Sequence, residues 1–462
     1  MNTDRLIWIQ PNPSTSSPCL VCGHDKNNKI ILKASHWRKE LGMMELAICK
    51  ACGSAFFIGA DEKNSAYPLP DEVLRDPNFI YLIYHYLEIV GGLDWKVGLL
   101  EQLPFQTFKS VLEIGCNAGV ALDYCRTVWG AETIGLEPSA YGILGGKLLG
   151  VPVISKYMHE ADEIKDKKFD FIFATEVLEH VPAPLGFLLE LRGHLFEEGV
   201  LLITTPRADS VSPSTSPGEL YAALSPGAHY FLLSPTALKS LVQKAGFSYC
   251  QTSELGMMNV AVISDKPVKI GTPQFVHARI KEFYRTKKDL PNVDKRVSLG
   301  HLINYYNYAS QSDDFEDELT TSSRIDEALK SIFNISLSDP EALVNKMISA
   351  NTLTAIGQVM PYSLPFYLNY RARNLQSSRN SPFHYYELAS FLAVQGLKVD
   401  FQNLFVYHAL FDNALKCAIS ESRRPHYSQR SNNLLGLSIQ VASGIPELQV
   451  VSPGIPHDRT SC

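Results

Sequence analysis

The sequence contains no uninterrupted apolar run approaching the roughly 20 residues that a membrane-crossing helix needs. Its first residues, MNTDRLIWIQPNPSTSSP, lack the basic start and long apolar stretch of a secretory signal. A cytoplasmic protein with no membrane span is the expectation. Basic charge is not in surplus either. Lys and Arg number 42 and Asp and Glu 48, a net charge of −6, so no global basic field marks nucleic acid as the expected partner. The nine cysteines are odd in number and too sparse for the disulfide framework of a small secreted domain. Hydrophobic residues at 45% and charged residues at 19% exclude a mainly disordered, collagen-like or coiled-coil chain. At 462 residues the chain exceeds one ordinary hydrophobic core, so two to four domains are expected.

Patterning divides the chain into five stretches. Residues 1–18, with Pro11, Pro13 and Pro18, read as a flexible arm. A cysteine module spans 19–62, and apolar residues around Gly91-Gly92 give 63–105 the pattern of a helical linker. Over 106–265, the β-rich runs VLEI, TIGLE, FDFIFAT and VLLITT alternate with helical patterns at 117–129, 139–149 and 184–196. That alternation predicts a parallel α/β sheet covered on both faces. FSYCQTSE and MNVAVIS follow with no helix between them and predict a terminal antiparallel hairpin. Residues 266–462 place apolar side chains at three- and four-residue spacing and read as a mainly helical accessory domain. Within it, 309–323 reads as an exposed loop and 444–462 as a fraying tail, and protein partners are expected to dock on this region.

Four cysteines fall into two copies of C-x-x-C-G: Cys19, Cys22 and Gly23, then Cys49, Cys52 and Gly53. Two thiolates three positions apart grip one ion from a tight turn, and the glycine tolerates the left-handed backbone such turns need. Two knuckles supply the tetrahedral sulfur set that zinc accepts. Redox dithiols, iron and disulfides are the alternatives. No position is left for water, so a structural role is expected.

The other informative segment is Val111-Leu-Glu-Ile-Gly-Cys-Asn-Ala-Gly119, an apolar strand running into Gly-x-x-x-Gly and a helix. Glycines here let a ligand approach the backbone. The loop is neither the G-x-G-x-x-G that cradles a pyrophosphate nor a P-loop with its Gly-Lys-Ser/Thr. Glu137 closes the next strand, where a carboxylate accepts hydrogen bonds from ribose hydroxyls. The pattern asks for a nucleoside without a diphosphate.

LEIGCNAG, GLEPS, FDFIFATEVLEHV, VLLITTP and HYFLLSPTALKSLVQKAGF, in that order, resemble class I S-adenosylmethionine (SAM)-dependent methyltransferases. The resemblance implies a Rossmann-like seven-stranded sheet with a reversed final hairpin. It implies that Glu113, Gly115 and Gly119 surround the methionine part of the cofactor and Glu137 its ribose, with Cys116 and Pro138 also among the cofactor-binding residues. Asp162 would face the adenine amine, and Thr175 and Glu176 would lie beside the sulfonium. A zinc-ribbon-like module ahead of such a domain is similar to the arrangement in bacterial sugar methyltransferases.

Methyl transfer to an oxygen of high pKa needs a base. His180, just past the fourth strand, titrates near neutrality and is the first candidate, as base, substrate contact or loop support. His229 precedes a helix that Ser234 caps and Pro235 opens, and is the second. The expected reaction is O-methylation of a sugar, glycan or related small molecule. RNA methylation through the zinc module and an inactive binding scaffold are the alternatives, and nucleic acid is not the expected partner.

Overall fold

The computed structural model describes residues 5–60, 70–90, 93–104, 108–272, 276–290, 294–311, 317–377, 382–400, 404, 406–422, 433–445 and 448. The Gly91-Gly92 break, the centre of the expected 309–323 loop and nearly all of the expected 444–462 tail lie outside them. The chain forms two compact units. Met1–Val73, Leu99–Gly146 and Gly150–Gln274 make the first; Leu74–Gly98, Lys147–Leu149 and Phe275–Cys462 make the second. Among the described residues no helix is long and apolar enough to cross a membrane.

The first unit contains two sheets. The amino-terminal one is antiparallel and is built from β1 (Leu6–Trp8), β2 (Ser14–Thr15), β3 (Asn28–Ser35), β4 (Met43–Ile48) and β5 (Ala55–Phe57). Its order is β1-β3-β4-β5, with β2 also on β3. The expected flexible arm is therefore corrected: Leu6 pairs with Ala34 and Trp8 with Leu32. The prolines obscured a period-two pattern in which Leu6 and Trp8 pack inward while Ile7 is exposed.

The second sheet is seven-stranded. It comprises β6 (Ser110–Ile114), β7 (Glu132–Leu136), β8 (Val153–Ile154), β9 (Phe169–Thr175) and β10 (Leu195–Pro206), then, after β11 (Phe231–Leu232), the hairpin β12 (Tyr249–Leu255) and β13 (Met258–Ser264). The order is β12-β13-β10-β9-β6-β7-β8. The strands from β8 to β10 run parallel and β13 antiparallel, so the Rossmann-like sheet with a reversed hairpin is present. Helices on both faces explain why β9 reads as a continuous apolar run. Chain order reverses between β6 and β9, which places a ligand crevice beyond their carboxyl ends.

The two sheets share one apolar core. Cys19, Cys49 and Phe56 lie in the same cluster as Leu112, Ile172, Ile203 and Phe231. β11 comes from the chain between β10 and the helix Pro235–Lys244, yet it pairs with β5, Phe231 opposite Phe56. The cysteine segment is thus built into the unit that holds the larger sheet.

The second unit is helical. Phe383–Val399 is buried on nearly every face, as a central helix must be. Part of the expected 309–323 loop is corrected to helix, since Glu318–Phe333 is helical and buries Thr321, Ser322, Ile325 and Leu329. Cys417 is disulfide-bonded. An ion pair anchors residues 74–98 to this unit: the Glu88 carboxylate accepts from Arg296 Nε at 2.6 Å and from the Tyr362 amide. The Arg296 guanidinium lies over the rings of Tyr84, at 4.4 Å, and Tyr362, at 5.2 Å.

Candidate active site and cysteine cluster

The loop between β6 and the helix Val120–Tyr124 turns through three left-handed residues, Gly115 (φ 68°), Asn117 (φ 49°) and Gly119 (φ 82°). Space excludes side chains as firmly as the dihedrals do. A Cβ on Gly115 would meet Val177 Cγ2 at 2.6 Å, and one on Gly119 would meet Val151 Cγ2 at 2.7 Å. The loop is tied to the end of β7: the Gly115 and Cys116 amides donate to Leu136 O at 2.8 and 3.2 Å. Glu137 completes the junction, its Oε2 accepting from the Asn117 amide and its Oε1 from the Ser139 amide, both at 3.0 Å. Each carboxylate oxygen keeps a second acceptor direction. Pro138 follows, half-buried, and Ser139 caps the helix Ala140–Leu149. That helix lies so close that a Cβ on Gly145 would sit 2.3 Å from Ala118 Cα.

Of the other residues implied for the cofactor, Glu113 is buried within β6 and Cys116 is buried in the loop. Thr175 is buried at the end of β9, and Glu176 follows in a left-handed conformation (φ 57°). The Glu176 amide donates to Thr204 O at 3.0 Å, and its Oε1 accepts from the Thr204 hydroxyl at 2.9 Å. Asp162 is exposed on the turn Asp162–Ile164 and is not among the side chains gathered here.

The structure brings His180 and His229 together, 49 positions apart in sequence, with ring centroids 4.5 Å apart and planes at 80°. Both are held the same way. His180 Nδ1 bonds Ala228 O at 3.0 Å, and His229 Nδ1 bonds Ala223 O at 2.9 Å. A carbonyl only accepts, so each Nδ1 carries the hydrogen and each Nε2 presents a lone pair. Burial lowers the His180 pKa, and burial with the neighbouring His180 takes His229 down to about 3. Both rings are neutral at physiological pH.

Sequence reasoning missed Glu179. It stands in the quoted VLEHV, but only its neighbour was assigned a role. Its side chain is 0% exposed, neither carboxylate oxygen makes a well-aligned hydrogen bond although the Thr205 hydroxyl and its own amide are close enough to favour the charged form, and Oε1 lies 3.9 Å from His229 Nε2. Burial, then the charge of Glu176, pushes its pKa well above the carboxylate range. Burial raises Glu176 to about 7 despite the Thr204 bond.

The helix Pro217–Leu224 presents Ala223 O to His229. Leu220 and Leu224 pack with Leu32, Ala34 and Phe57 of the amino-terminal sheet, and the Tyr221 hydroxyl donates to Ser35 O at 2.9 Å. Residues 207–227 are in this way supported by the cysteine-containing sheet.

The four knuckle cysteines converge, their sulfurs all within 4.8 Å of one another. Cys19 and Cys52 are 3.7 Å apart and Cys22 and Cys49 3.5 Å. A tetrahedral zinc with bonds of about 2.3 Å places its sulfurs about 3.8 Å apart, so the set fits such an ion. Gly23 and Gly53 are left-handed (φ 76° and 72°), as the knuckle turns require. The Ser234 hydroxyl donates to Cys52 O at 2.5 Å while capping Pro235–Lys244 at the Ala237 amide, which joins the second knuckle to that helix.

A surface depression of about 400 Å³ lies elsewhere, lined by Leu189, Arg192, Phe196, Phe247 and Asp265. It adjoins Leu195 at the amino end of β10, the opposite edge from the histidines, and carries no part of this chemistry.

A family model described as a methyltransferase domain matches residues 93–252. A tRNA U34 carboxymethyltransferase of Colwellia psychrerythraea is 27% identical over 152 residues, 30% of this chain and 47% of that protein. A ubiquinone biosynthesis O-methyltransferase of Histophilus somni is 30% identical over 109 residues, 21% of this chain and 45% of that protein. The chain thus spans about half the length of the curated relatives it matches. Among solved structures, the plantazolicin methyltransferase BpumL in complex with SAH is 17% identical with a TM-score of 0.34, covering 44% of this chain and 95% of that one. Human N-acetylserotonin methyltransferase is 15% identical with a TM-score of 0.35, covering 44% and 60%.

Proposed function

We propose that this chain binds SAM across the β6 and β7 ends and transfers its methyl group to a hydroxyl oxygen of a sugar, glycan or related small metabolite. The observation that carries the reading is the junction of Glu137 with the Asn117 amide, at the sheet's switch point. Gly115 and Gly119 would let the methionine part approach the backbone, and Glu137 would take the ribose hydroxyls on its remaining acceptor directions. Cys116 and Pro138 would flank the nucleoside, and Glu113 would support the loop from below. Thr175 and Glu176 would face the sulfonium, and Asp162 would reach the adenine only through movement of its turn.

The Glu179–His180–His229 cluster would serve the acceptor oxygen, which must shed a proton as the carbon–sulfur bond breaks and the carbon–oxygen bond forms. Holding the two reactants in line supplies much of the rate. The four cysteines would hold a structural zinc that stiffens the sheet behind the histidines.

Incubation with methyl-labelled SAM and separated pools of nucleotide sugars, glycans and tRNA tests this reading. Label in a sugar or small-molecule pool is expected. The sequence offered no basic field for nucleic acid, but one relative is a tRNA-modifying enzyme by name, so label in tRNA alone would favour that second reading. His180→Ala is expected to lower turnover about a hundredfold or more, the lower range of acid–base contributions, while SAM affinity stays within about twofold. Equal loss of both would make His180 a structural residue.

A further inference from the structure

The side chains beyond the carboxyl end of β9 have the composition of a metal site distinct from the cysteine cluster. Glu179 and His180 close the turn Leu178–His180, and His229 reaches them from the far end of the segment after Pro217–Leu224. One ligand atom from each lies within 4.8 Å of the others.

Three further features fit an ion better than they fit a folded core. The Glu179 carboxyl is fully buried with no well-aligned hydrogen bond to either oxygen, only weak support from the Thr205 hydroxyl and its own amide, a costly arrangement unless something else satisfies it. Both imidazoles give their Nδ1 hydrogen to a backbone carbonyl, the outer-shell bond that fixes the tautomer and orients Nε2 in metal-ligating histidines. The two carbonyls, Ala223 and Ala228, belong to one short segment that the amino-terminal sheet supports, so both rings are positioned by the same scaffold.

We infer that Glu179, His180 and His229 form a binding site for one divalent first-row transition-metal ion, with open positions for oxygen atoms of the methyl acceptor. Two imidazole nitrogens and one carboxylate suit ions from manganese to zinc and leave part of the coordination sphere for substrate. Bonds of about 2.0–2.2 Å bring the donors to separations of roughly 3.0–3.4 Å, so each moves by less than about 1 Å to close on the ion. The inference deepens the proposed methyl transfer and rests on it for its chemical role. A metal-bound hydroxyl ionises near neutral pH and its proton passes to water. The oxygen then attacks the methyl carbon, the carbon–sulfur bond breaks, and the sulfonium leaves as a neutral thioether. An acceptor with a second oxygen beside the reacting hydroxyl, as in a vicinal diol, fills two open positions.

Manganese is the probe, because thiolates at the cysteine cluster favour softer ions. The full-length protein, with its cysteine site loaded with zinc, is titrated with MnCl2 while electron paramagnetic resonance follows free Mn2+, and SAM affinity is measured on the same samples. About one Mn2+ per chain is expected. Glu179→Gln and His229→Ala should each weaken it by at least about tenfold, the lower range for losing even an outer-shell partner. One zinc per chain and unchanged SAM affinity identify a folded variant. If neither variant folds, pulsed measurements on the wild type decide, and couplings from two imidazole nitrogens are expected. No Mn2+ binding by the wild type, wild-type affinity in both variants, or a spectrum without those couplings would overturn the site. Mn2+ binding without SAM binding would leave the site standing and reject the methyltransferase reading instead.

Discussion

Gly145→Ala is expected to weaken SAM binding by at least about tenfold, or about 1.4 kcal/mol, and to lower the melting temperature. The added Cβ meets Ala118 Cα at 2.3 Å, Ala118 Cβ at 2.4 Å and Ala118 O at 2.7 Å. Alanine is otherwise the better helix former by up to about 1 kcal/mol, so local propensity predicts a gain. Packing decides the sign, because the obstacle is backbone rather than the end of a flexible side chain. Overfilling a close contact costs about 1–3 kcal/mol. Here the displaced element is the Gly115–Gly119 loop, so the helix cannot relax without moving the proposed methionine cradle. Gly193→Ala, with nothing within 4 Å of the new Cβ, is the control and should change neither quantity appreciably. Wild-type SAM affinity in Gly145→Ala would show that the loop does not grip the cofactor.

The second large effect belongs to the helical unit. Arg296→Met is expected to destabilise it by about 3–5 kcal/mol, since it leaves a fully buried carboxylate without its partner. Burial already pushes the Glu88 pKa up, with Arg296 and the Tyr362 and Ser363 amides opposing. Without the guanidinium the folded-state pKa rises further. Below the unfolded carboxyl value Glu88 is protonated in both states and the penalty from its lost pairing is smallest. It grows as pH rises above the unfolded value and levels off once pH passes the raised folded-state value. Denaturant melts at acid and neutral pH read this difference. Glu88→Gln on the Arg296→Met background should recover much of the loss, because no charge then remains to be paired. An equal loss at both pH values would assign the effect to lost packing against Tyr84 and Tyr362.

The sequence and the structure agree most closely where local chemistry decides the fold. β6, its glycine turn and Glu137 are adjacent in space because an apolar strand, a left-handed turn and a second parallel strand leave few other arrangements. The paired C-x-x-C-G turns and the Ser234 cap are local motifs of the same kind, and each is found as read. Long-range pairings were hidden. Nothing in Phe231-Leu232 says that it joins the cysteine-containing sheet rather than the larger one, because two apolar residues satisfy either. β8 was not read because two residues carry no period. Leu6–Trp8 was read as arm because the prolines that follow it dominated the pattern. Glu179 was passed over because an acid beside a histidine reads as a solvated charge until burial is known. Gly145 was hidden as well, since a helix glycine signals close packing only when the neighbour is seen.

The central claim is that the turn after β6 and the acid after β7 hold one SAM molecule between them. Titration calorimetry of the full-length chain with SAM, beside Glu137→Ala, tests it most directly. The account predicts saturable binding of about one SAM per chain, weakened by at least about tenfold in the variant, as expected when a carboxylate taking two ribose hydroxyls is lost. A wild-type chain that gives no binding heat at millimolar SAM, or a Glu137→Ala chain that binds as the wild type does, would contradict it.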